Sequence, residues 1–271
     1  MRDRDCVAFL QWCLPRLGLR WSGYRKVRGT VCKRVQRRLR ALDLTADSDG
    51  LNAYKTRLEN DASERQILDA FCRIPISRFY RDRAVFDALG SIVLPRLARA
   101  YPAALRCWSA GCASGEEAYS LSILWRLNAA QAAQETRFSV LGTDTEPEML
   151  KRAQRARYGA GSLKDLPAAY RDAAFVRDHD EFVLKPAFRA GVRFALHDLR
   201  TLPPDGPFAL VLCRNLAFTY FETGLQAAVL ARLRQVLAPG GVLVIGGHET
   251  LPDTMGFARY DDAKLPIFRK L

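Results

Sequence analysis

Hydrophobic positions recur at helical spacing through the first part of the chain. In TVCKRVQRRLRAL, Val31, Val35, Leu39 and Leu42 fall on one stripe, which predicts a helix with a single apolar face. A further helical pattern runs from about Leu51 to Cys72, so residues 1–72 read as an all-helical domain. After about Ile74 the pattern changes. ALRCWSAG reads as a strand running into a glycine turn, EEAYSLSILWRLNAA as a helix, TRFSVLGTDTE as a second strand ending in acid, and EPEMLKRAQRARY as a second helix. FALVLCRN is a later strand, GLQAAVLARLRQVL a helix and GGVLVIGGHE another strand. Strands alternating with helices imply an α/β domain over residues 73–271, built on a parallel, helix-covered sheet. AAFVRDHDEFVLKPAFRAGVRFALHDL departs from this rhythm. Its short alternating runs, EFVLKP and GVRFAL, predict a small antiparallel β insert at about 172–196.

Composition narrows the picture. Of 271 residues, 49% are hydrophobic, enough for a sizeable core. No apolar run reaches the length of a membrane span. The start, MRDRDCVAFLQWCLPRLG, mixes charges of both signs and has no small-residue cleavage pattern, so it does not read as a signal peptide. Seven cysteines lack CxxC spacing, and the three histidines, His179, His197 and His248, are far apart. Reduced thiols, a cytoplasmic location and no metal centre are expected.

The net charge of +13 points to an acidic partner, whether nucleic acid, anionic lipid or protein, or else to solubility alone. The charge is concentrated: Arg2 to Arg40 carries twelve Lys/Arg against two Asp. Lys33, Arg34, Arg37, Arg38 and Arg40 fall largely off the apolar stripe, giving that helix an arginine-rich outer face.

In doubly wound sheets, ligands bind outside the carboxyl ends of the strands, near the point where strand order reverses. The candidate polar residues collect at such ends. After the first strand, Gly111 and Gly115 in GCASGEE let the backbone turn tightly and approach a ligand. The spacing is not GxGxxG, there is no P-loop lysine, and Glu116 and Glu117 argue against a bound phosphate. The same two acids also suit the positive end of a helix dipole. Asp144 at the end of the second strand suits the two hydroxyls of a ribose, or caps the next helix. Asp198 in FALHDL could face an adenine, or close a turn. Asn215, in FALVLCRNLAFTYFE, can offer its amide to the methionine portion of S-adenosylmethionine (SAM). Beside it, Arg214 either contacts ligand or forms an internal salt bridge. VLAPGGVLVIGG is a helix end, turn and strand in an order common in SAM-dependent methyltransferases.

Taken together, these segments resemble the CheR family, methyltransferases that esterify glutamates on chemotaxis receptors. The resemblance runs from about Val7 to Glu249 and is carried by VCKRVQRRLRAL, ISRFYRD, WSAGCASGEEAYSLS, GTDTEPEMLKRA, LVLCRNLAFTYF and APGGVLVIGGHE, in family order. It implies a Rossmann-like class I methyltransferase sheet with an N-terminal helical domain, and SAM as the cofactor. It also implies cofactor roles for Ser77, Arg81, Glu117, Asp144, Asp198, Leu199, Asn215 and Leu216. Arg81 and a tyrosine after CRN would lie near the transferred methyl group. The family's interdomain Asn and Thr are matched here by Pro75 and Ser77, and its Asn before Leu by Asp198. Its tyrosine position, four residues after the Asn of CRN, holds Thr219, with Tyr220 one residue later; an extra turn there would let Tyr220 take the catalytic place. GGHET lacks the family's Gly-His-Ser-Glu order.

The resemblance makes the acceptor a carboxylate of a chemoreceptor-like protein, with Arg34, Arg37 and Arg38 docking its acidic surface. The altered positions keep a CheR-like enzyme acting on another protein, a peptide or a small molecule as the alternative. An RNA methyltransferase is less favoured, because Leu216 and Ala217 replace the Pro-Pro-aromatic run familiar after such an asparagine, and no nucleic-acid partner is expected. A non-catalytic SAM-binding module also ranks lower. A monomer is expected.

Overall fold

The computed structural model describes residues 1–129, 135–254, 256–260 and 264–271. The chain divides into two compact units. One is Met1–Ile74 with Thr219–Leu225; the other is Pro75–Phe218 with Gln226–Leu271.

The first unit is helical: α1 (Asp3–Arg16), α2 (Trp21–Tyr24), α3 (Arg28–Ala41), α4 (Ser48–Asn60) and α5 (Ala62–Phe71). The stripe read from the sequence is its core, with Val31, Val35 and Leu39 fully buried. Helix starts follow from local chemistry. The Asp47 carboxylate accepts from the N–H groups of Asp49 and Gly50, and that of Asp61 from Ser63 and Glu64. These are the first donors of α4 and α5, which have no partner inside the helix. The Thr219–Leu225 segment joins the unit through backbone pairing. The Arg20 N–H donates to the Tyr220 carbonyl at 2.8 Å, and the Glu222 N–H to that of Gly18 at 2.9 Å.

Two expectations need correction in this unit. Cys6 and Cys32 form a disulfide between α1 and α3, with Cα atoms 6.0 Å apart, so not all thiols are reduced. The other five cysteines are free and buried. Nor are the three docking arginines all free to meet a partner. Arg34 donates to the carbonyls of Phe71 and Arg73, each at 2.7 Å, where α5 ends. Arg38 grips Glu64 through Nε at 2.9 Å and Nη2 at 2.7 Å. Glu64 is 1% exposed and must be paired to stay charged. Only Arg37 of the three is exposed, with Lys33 and Arg40 on the same helix.

The second unit opens with α6 (Arg83–Ala88), a π-helical turn at Leu89–Val93 and α7 (Leu94–Ala100). Then come β1 (Ala104–Ala110), α8 (Glu116–Leu124), β2 (Arg137–Asp144), α9 (Pro147–Arg155) and β3 (Arg157–Gly159). The next elements are α10 (Ala168–Ala174), β4 (Phe175–Asp178), β5 (Glu181–Leu184), α11 (Pro186–Arg189), β6 (Val192–Leu196) and β7 (Phe208–Leu212). The last are α12 (Ala217–Tyr220), α13 (Thr223–Val236), β8 (Leu237–Val244), β9 (Phe257–Arg259) and β10 (Ile267–Lys270). The α12 turn crosses from the second unit into the first, and α13 crosses back. The helix read as EEAYSLSILWRLNAA passes from α8 into a π-helical turn, Trp125–Ala129, and its final residue, Ala130, lies outside the described residues.

The large sheet has the order β6-β2-β1-β7-β8-β10-β9. The first five strands are parallel, while β10 and β9 are antiparallel to their neighbours. Its central strand β7 is buried at every position, as a strand covered on both faces must be. The antiparallel insert exists as a three-stranded sheet, β3-β5-β4. GVRFAL is not part of it. Val192–Leu196 pairs in parallel with β2, from Val140↔Val192 to Asp144↔Leu196, and forms the edge of the large sheet. The insert instead recruits Arg157–Gly159, ahead of the expected boundary.

The Arg38–Glu64 pair yields a test. The Arg38 guanidinium is the main cause holding the Glu64 carboxyl below the usual carboxylate range; burial opposes it, and the Tyr54 hydroxyl helps. A depressed folded pKa contributes stability that is complete above the unfolded value, about 4.3, and is lost as pH falls through the lower folded value. Arg38→Ala should cost roughly 2–3 kcal/mol at neutral pH, because Tyr54 and Arg57 still face the stranded carboxylate. Thermal unfolding should show the gap from wild type closing below about pH 4. A gap that stays constant across that range would remove Glu64 as its cause.

Candidate functional site

From β1 the chain steps to β2 on one side of the sheet, and from β7 to β8 on the other, so strand order reverses between β1 and β7. Two loops leaving parallel strand ends in opposite directions open a crevice there. The predicted cofactor residues of the second unit lie at or just after the ends of β1, β2, β6 and β7, with Asp144 closing β2 and Glu117 in the first turn of α8, and on the segment before α6.

The loop after β1 folds over the end of β2, where the Gly111 and Cys112 N–H groups donate to the Thr143 carbonyl at 2.8 and 2.9 Å. Gly111 sits at φ +81°, and a Cβ there would run into the Leu216 side chain, so two of the predicted residues touch. Asp144 holds this loop from below. Its Oδ2 accepts from the Ala113 N–H at 2.8 Å and its Oδ1 from the Glu146 N–H at 3.0 Å. Burial pushes the Asp144 pKa up, and those two N–H groups pull it back.

The adjacent acids Glu116 and Glu117 face different surroundings. Glu117 accepts from Ser109 Oγ at 2.7 Å and from Arg214 Nη1 at 3.0 Å. Glu116 is buried beside hydroxyls, with Ser114 Oγ 3.0 Å from both its oxygens. Burial raises its pKa, and its own N–H, Ser114 and Ser77 work against the rise.

Of the two readings of Arg214, the structure shows the internal one. The side chain is 2% exposed. Nη2 donates to Asp82 Oδ2 at 2.6 Å and to the Arg81 carbonyl at 2.8 Å, Nη1 reaches Glu117, and the guanidinium lies 5.1 Å from the centre of the Phe86 ring. This fixes the backbone of Arg81. The Arg81 side chain is half-buried and donates to the Ile76 carbonyl at 2.9 Å, with no carboxylate paired to it among the described residues.

Asn215 stands at φ +54°, an uncommon conformation for a residue with a side chain. Its N–H and that of Leu216 donate to Glu249, at 2.8 and 3.1 Å. Glu249 went unread in the sequence, although an acid just past a predicted strand end is the same signal that singled out Asp144. Asp198 turns its carboxylate to its neighbour Arg200, accepting from the backbone N–H at 2.9 Å and from Nη2 at 2.7 Å. Its side chain thus serves the turn. Leu199 beside it is buried.

The structure brings together Ser77, Arg81, Gly111, Glu117, Asp144, Asn215 and Leu216 within the second unit. Tyr220 belongs to the first unit, where its ring centre lies 5.0 Å from that of Tyr24. The docking arginines also belong to the first unit.

Comparison with known proteins bears on what this assembly is. A family profile described as "CheR methyltransferase, SAM binding domain" matches residues 76–263. The chain is 31% identical to a chemotaxis protein methyltransferase of Listeria monocytogenes over 92% of its own length and 91% of that protein's. It is also 31% identical to a probable biofilm formation methyltransferase, WspC, of Pseudomonas putida, over 89% of this chain and 55% of that one. Among solved structures, the N-methyltransferase NodS of Bradyrhizobium japonicum aligns at a TM-score of 0.40 and 15% identity, covering 70% of this chain and 90% of NodS. CalS10 of Micromonospora echinaspora, an amino pentose methyltransferase, aligns at 0.34 and 22%, covering 64% of this chain and 58% of its own.

The Arg214 contacts make a direct prediction. Lysine keeps the charge but loses the planar fork that reaches Glu117, Asp82 and the Arg81 carbonyl together. Arg214→Lys should destabilise the protein by roughly 2–4 kcal/mol, read by calorimetry as a lower Tm. An unchanged Tm would mean that these contacts do not hold the strand ends together.

Proposed function

The chain belongs to the CheR methyltransferase family, and from that premise we propose that it methylates carboxylate side chains of a chemoreceptor-like protein. It is a SAM-dependent methyltransferase. The observation that carries the acceptor reading is Arg81. Its backbone is fixed by Arg214, and its guanidinium donates to the Ile76 carbonyl through Nη1, leaving further donors for an incoming carboxylate. SAM supplies an electrophilic methyl group on a sulfonium. A carboxylate acceptor is already ionised at neutral pH and needs no general base. The protein's tasks are then to align, to exclude water and to place charge.

The residues present suit that cofactor. Asn215 offers a side-chain amide next to the glycine turn that packs against Leu216. Both Asp144 oxygens accept backbone N–H groups, and the carboxylate is an acceptor of the kind a ribose hydroxyl would need. Arg81 would hold the acceptor by a two-point contact. Tyr220 keeps the catalytic role that the resemblance gives it, as a proposal that Tyr220→Phe tests through turnover. The exposed face of α3, with Lys33, Arg37 and Arg40, would meet an acidic protein surface, raising encounter rate and setting orientation. A cytoplasmic site of action fits such a substrate, and among the described residues no helix is long and apolar enough to cross a membrane.

A second reading, a related signalling protein as acceptor, draws on the WspC relative, a probable biofilm formation methyltransferase. Labelled SAM offered with separate receptor, RNA and small-metabolite pools distinguishes these readings. Label in base-labile esters of receptor protein is expected, and label in RNA would overturn the proposal.

Arg81→Lys should lower turnover by about tenfold or more while changing SAM affinity little, because lysine cannot reproduce the bidentate grip. Wild-type turnover by this variant would remove Arg81 from the acceptor site.

A further inference from the structure

Glu249 follows the end of β8, yet its carboxylate serves the end of β7. Oε2 accepts from the Gly246 N–H at 2.6 Å and the Asn215 N–H at 2.8 Å, and Oε1 from the Leu216 N–H at 3.1 Å. The residue is 8% exposed. Two successive N–H groups of one strand end and one of its neighbour thus converge on a single anion. Successive amides aimed at one point form a concavity that binds anions, and here a side chain of the same chain fills it.

The packing leaves little slack. A Cβ at Gly246 would stand 2.5 Å from Asn215 Nδ2 and 2.8 Å from Glu249 Oε2, so both side chains pack against the Gly246 backbone and only glycine fits between them. Asn215 also holds a left-handed conformation, which costs a residue with a side chain on the order of 1 kcal/mol and persists only where surrounding contacts enforce it. The two N–H bonds to Glu249 flank that residue and enforce it.

We propose that Glu249 is a positioning residue for SAM binding: its carboxylate holds the Asn215–Leu216 turn in the conformation that presents the Asn215 amide to the cofactor. The proposal rests on the reading that Asn215 contacts SAM. Glutamine has nearly the shape of glutamate but replaces one acceptor oxygen with a donor, which faces an N–H instead of accepting from it.

The test is a double-mutant cycle on SAM affinity, measured by calorimetry with Asn215→Ala, Glu249→Gln and the double variant, alongside Tm and kcat at saturating SAM. Asn215→Ala and Glu249→Gln should each raise the Kd for SAM by about tenfold, the loss expected for one charge-assisted contact. The double variant should be little worse than either single one, because both remove the same presented amide. Turnover at saturating SAM should stay within about threefold of wild type for Glu249→Gln, a split between binding and chemistry that general destabilisation does not produce.

If Asn215→Ala weakens binding and Glu249→Gln does not, the positioning role falls and the site reading stands. If Asn215→Ala leaves the affinity unchanged, the site reading fails and takes the proposal with it. Fully additive losses would show that Glu249 acts independently of Asn215, and a lower Tm with unchanged Kd would reduce it to a structural tie; both overturn the proposal. Should Glu249→Gln fail to fold, Glu249→Asp, which keeps the charge on a shorter arm, is judged by the same criteria.

Discussion

A guanidinium taken out of water must be met by acceptors, or its burial costs more than folding can return. From its place just past β7, Arg214 meets that condition at both terminal nitrogens with groups from two distant parts of the sequence: Asp82 and the Arg81 carbonyl before α6, and Glu117 in the first turn of α8. Because the side chain is 2% exposed, none of these segments can move away without stranding a charge. The rest of the site inherits this constraint. The Arg81 backbone is fixed through its carbonyl, and α8 is fixed through Glu117, which also accepts from Ser109 on β1. One ion pair network therefore sets the Arg81 backbone and the start of α8 in a common frame.

The two neighbouring glutamates show how that frame separates chemical roles. Glu117 is matched to a cation, while Glu116 meets only hydroxyls and an N–H in a buried place, and burial drives its pKa upward. Neither acid is free to act as a base toward a substrate. That suits a reaction whose nucleophile arrives already ionised, where a competing carboxylate beside the sulfonium would be a liability. The helical unit makes a parallel economy with its basic charge. Of the arginines on α3, Arg34 closes the carboxyl end of α5 and Arg38 neutralises Glu64, leaving Lys33, Arg37 and Arg40 to face outward. Net charge thus overstates the charge available to a partner.

What could be read from the sequence follows from which signals are local. The periods of β1, α8, β2, α9, β7, α13 and β8 are local, and those elements appear where hydrophobic patterning placed them. GVRFAL misled because an alternating run has the same appearance whether it pairs antiparallel in an insert or parallel at a sheet edge; partner choice is a long-range property. The Cys6–Cys32 pairing and the Arg34 and Arg38 contacts escaped for the same reason, since off-stripe positions on a helix can point to solvent or along a neighbouring helix. Asp198 was placed correctly at a strand end, but its short-range partner, Arg200, lies two residues away and takes the carboxylate. Glu249 could have been found by the rule that found Asp144, had the acid past the last parallel strand been weighed alike.

Those last two residues share one physical device. Asp144 accepts from the N–H groups of Ala113 and Glu146, and Glu249 from those of Asn215, Leu216 and Gly246. In each case a carboxylate gathers backbone donors from loops that leave parallel strand ends, where the sheet no longer supplies partners and buried N–H groups would otherwise go unpaired. Ordering a loop on ligand binding subtracts from affinity, whereas a loop ordered during folding presents its groups at no further entropic cost. The acids at the strand ends move that cost from binding into folding. The same logic explains why the site tolerates a left-handed Asn215: the strain is carried by the folded protein before any cofactor arrives.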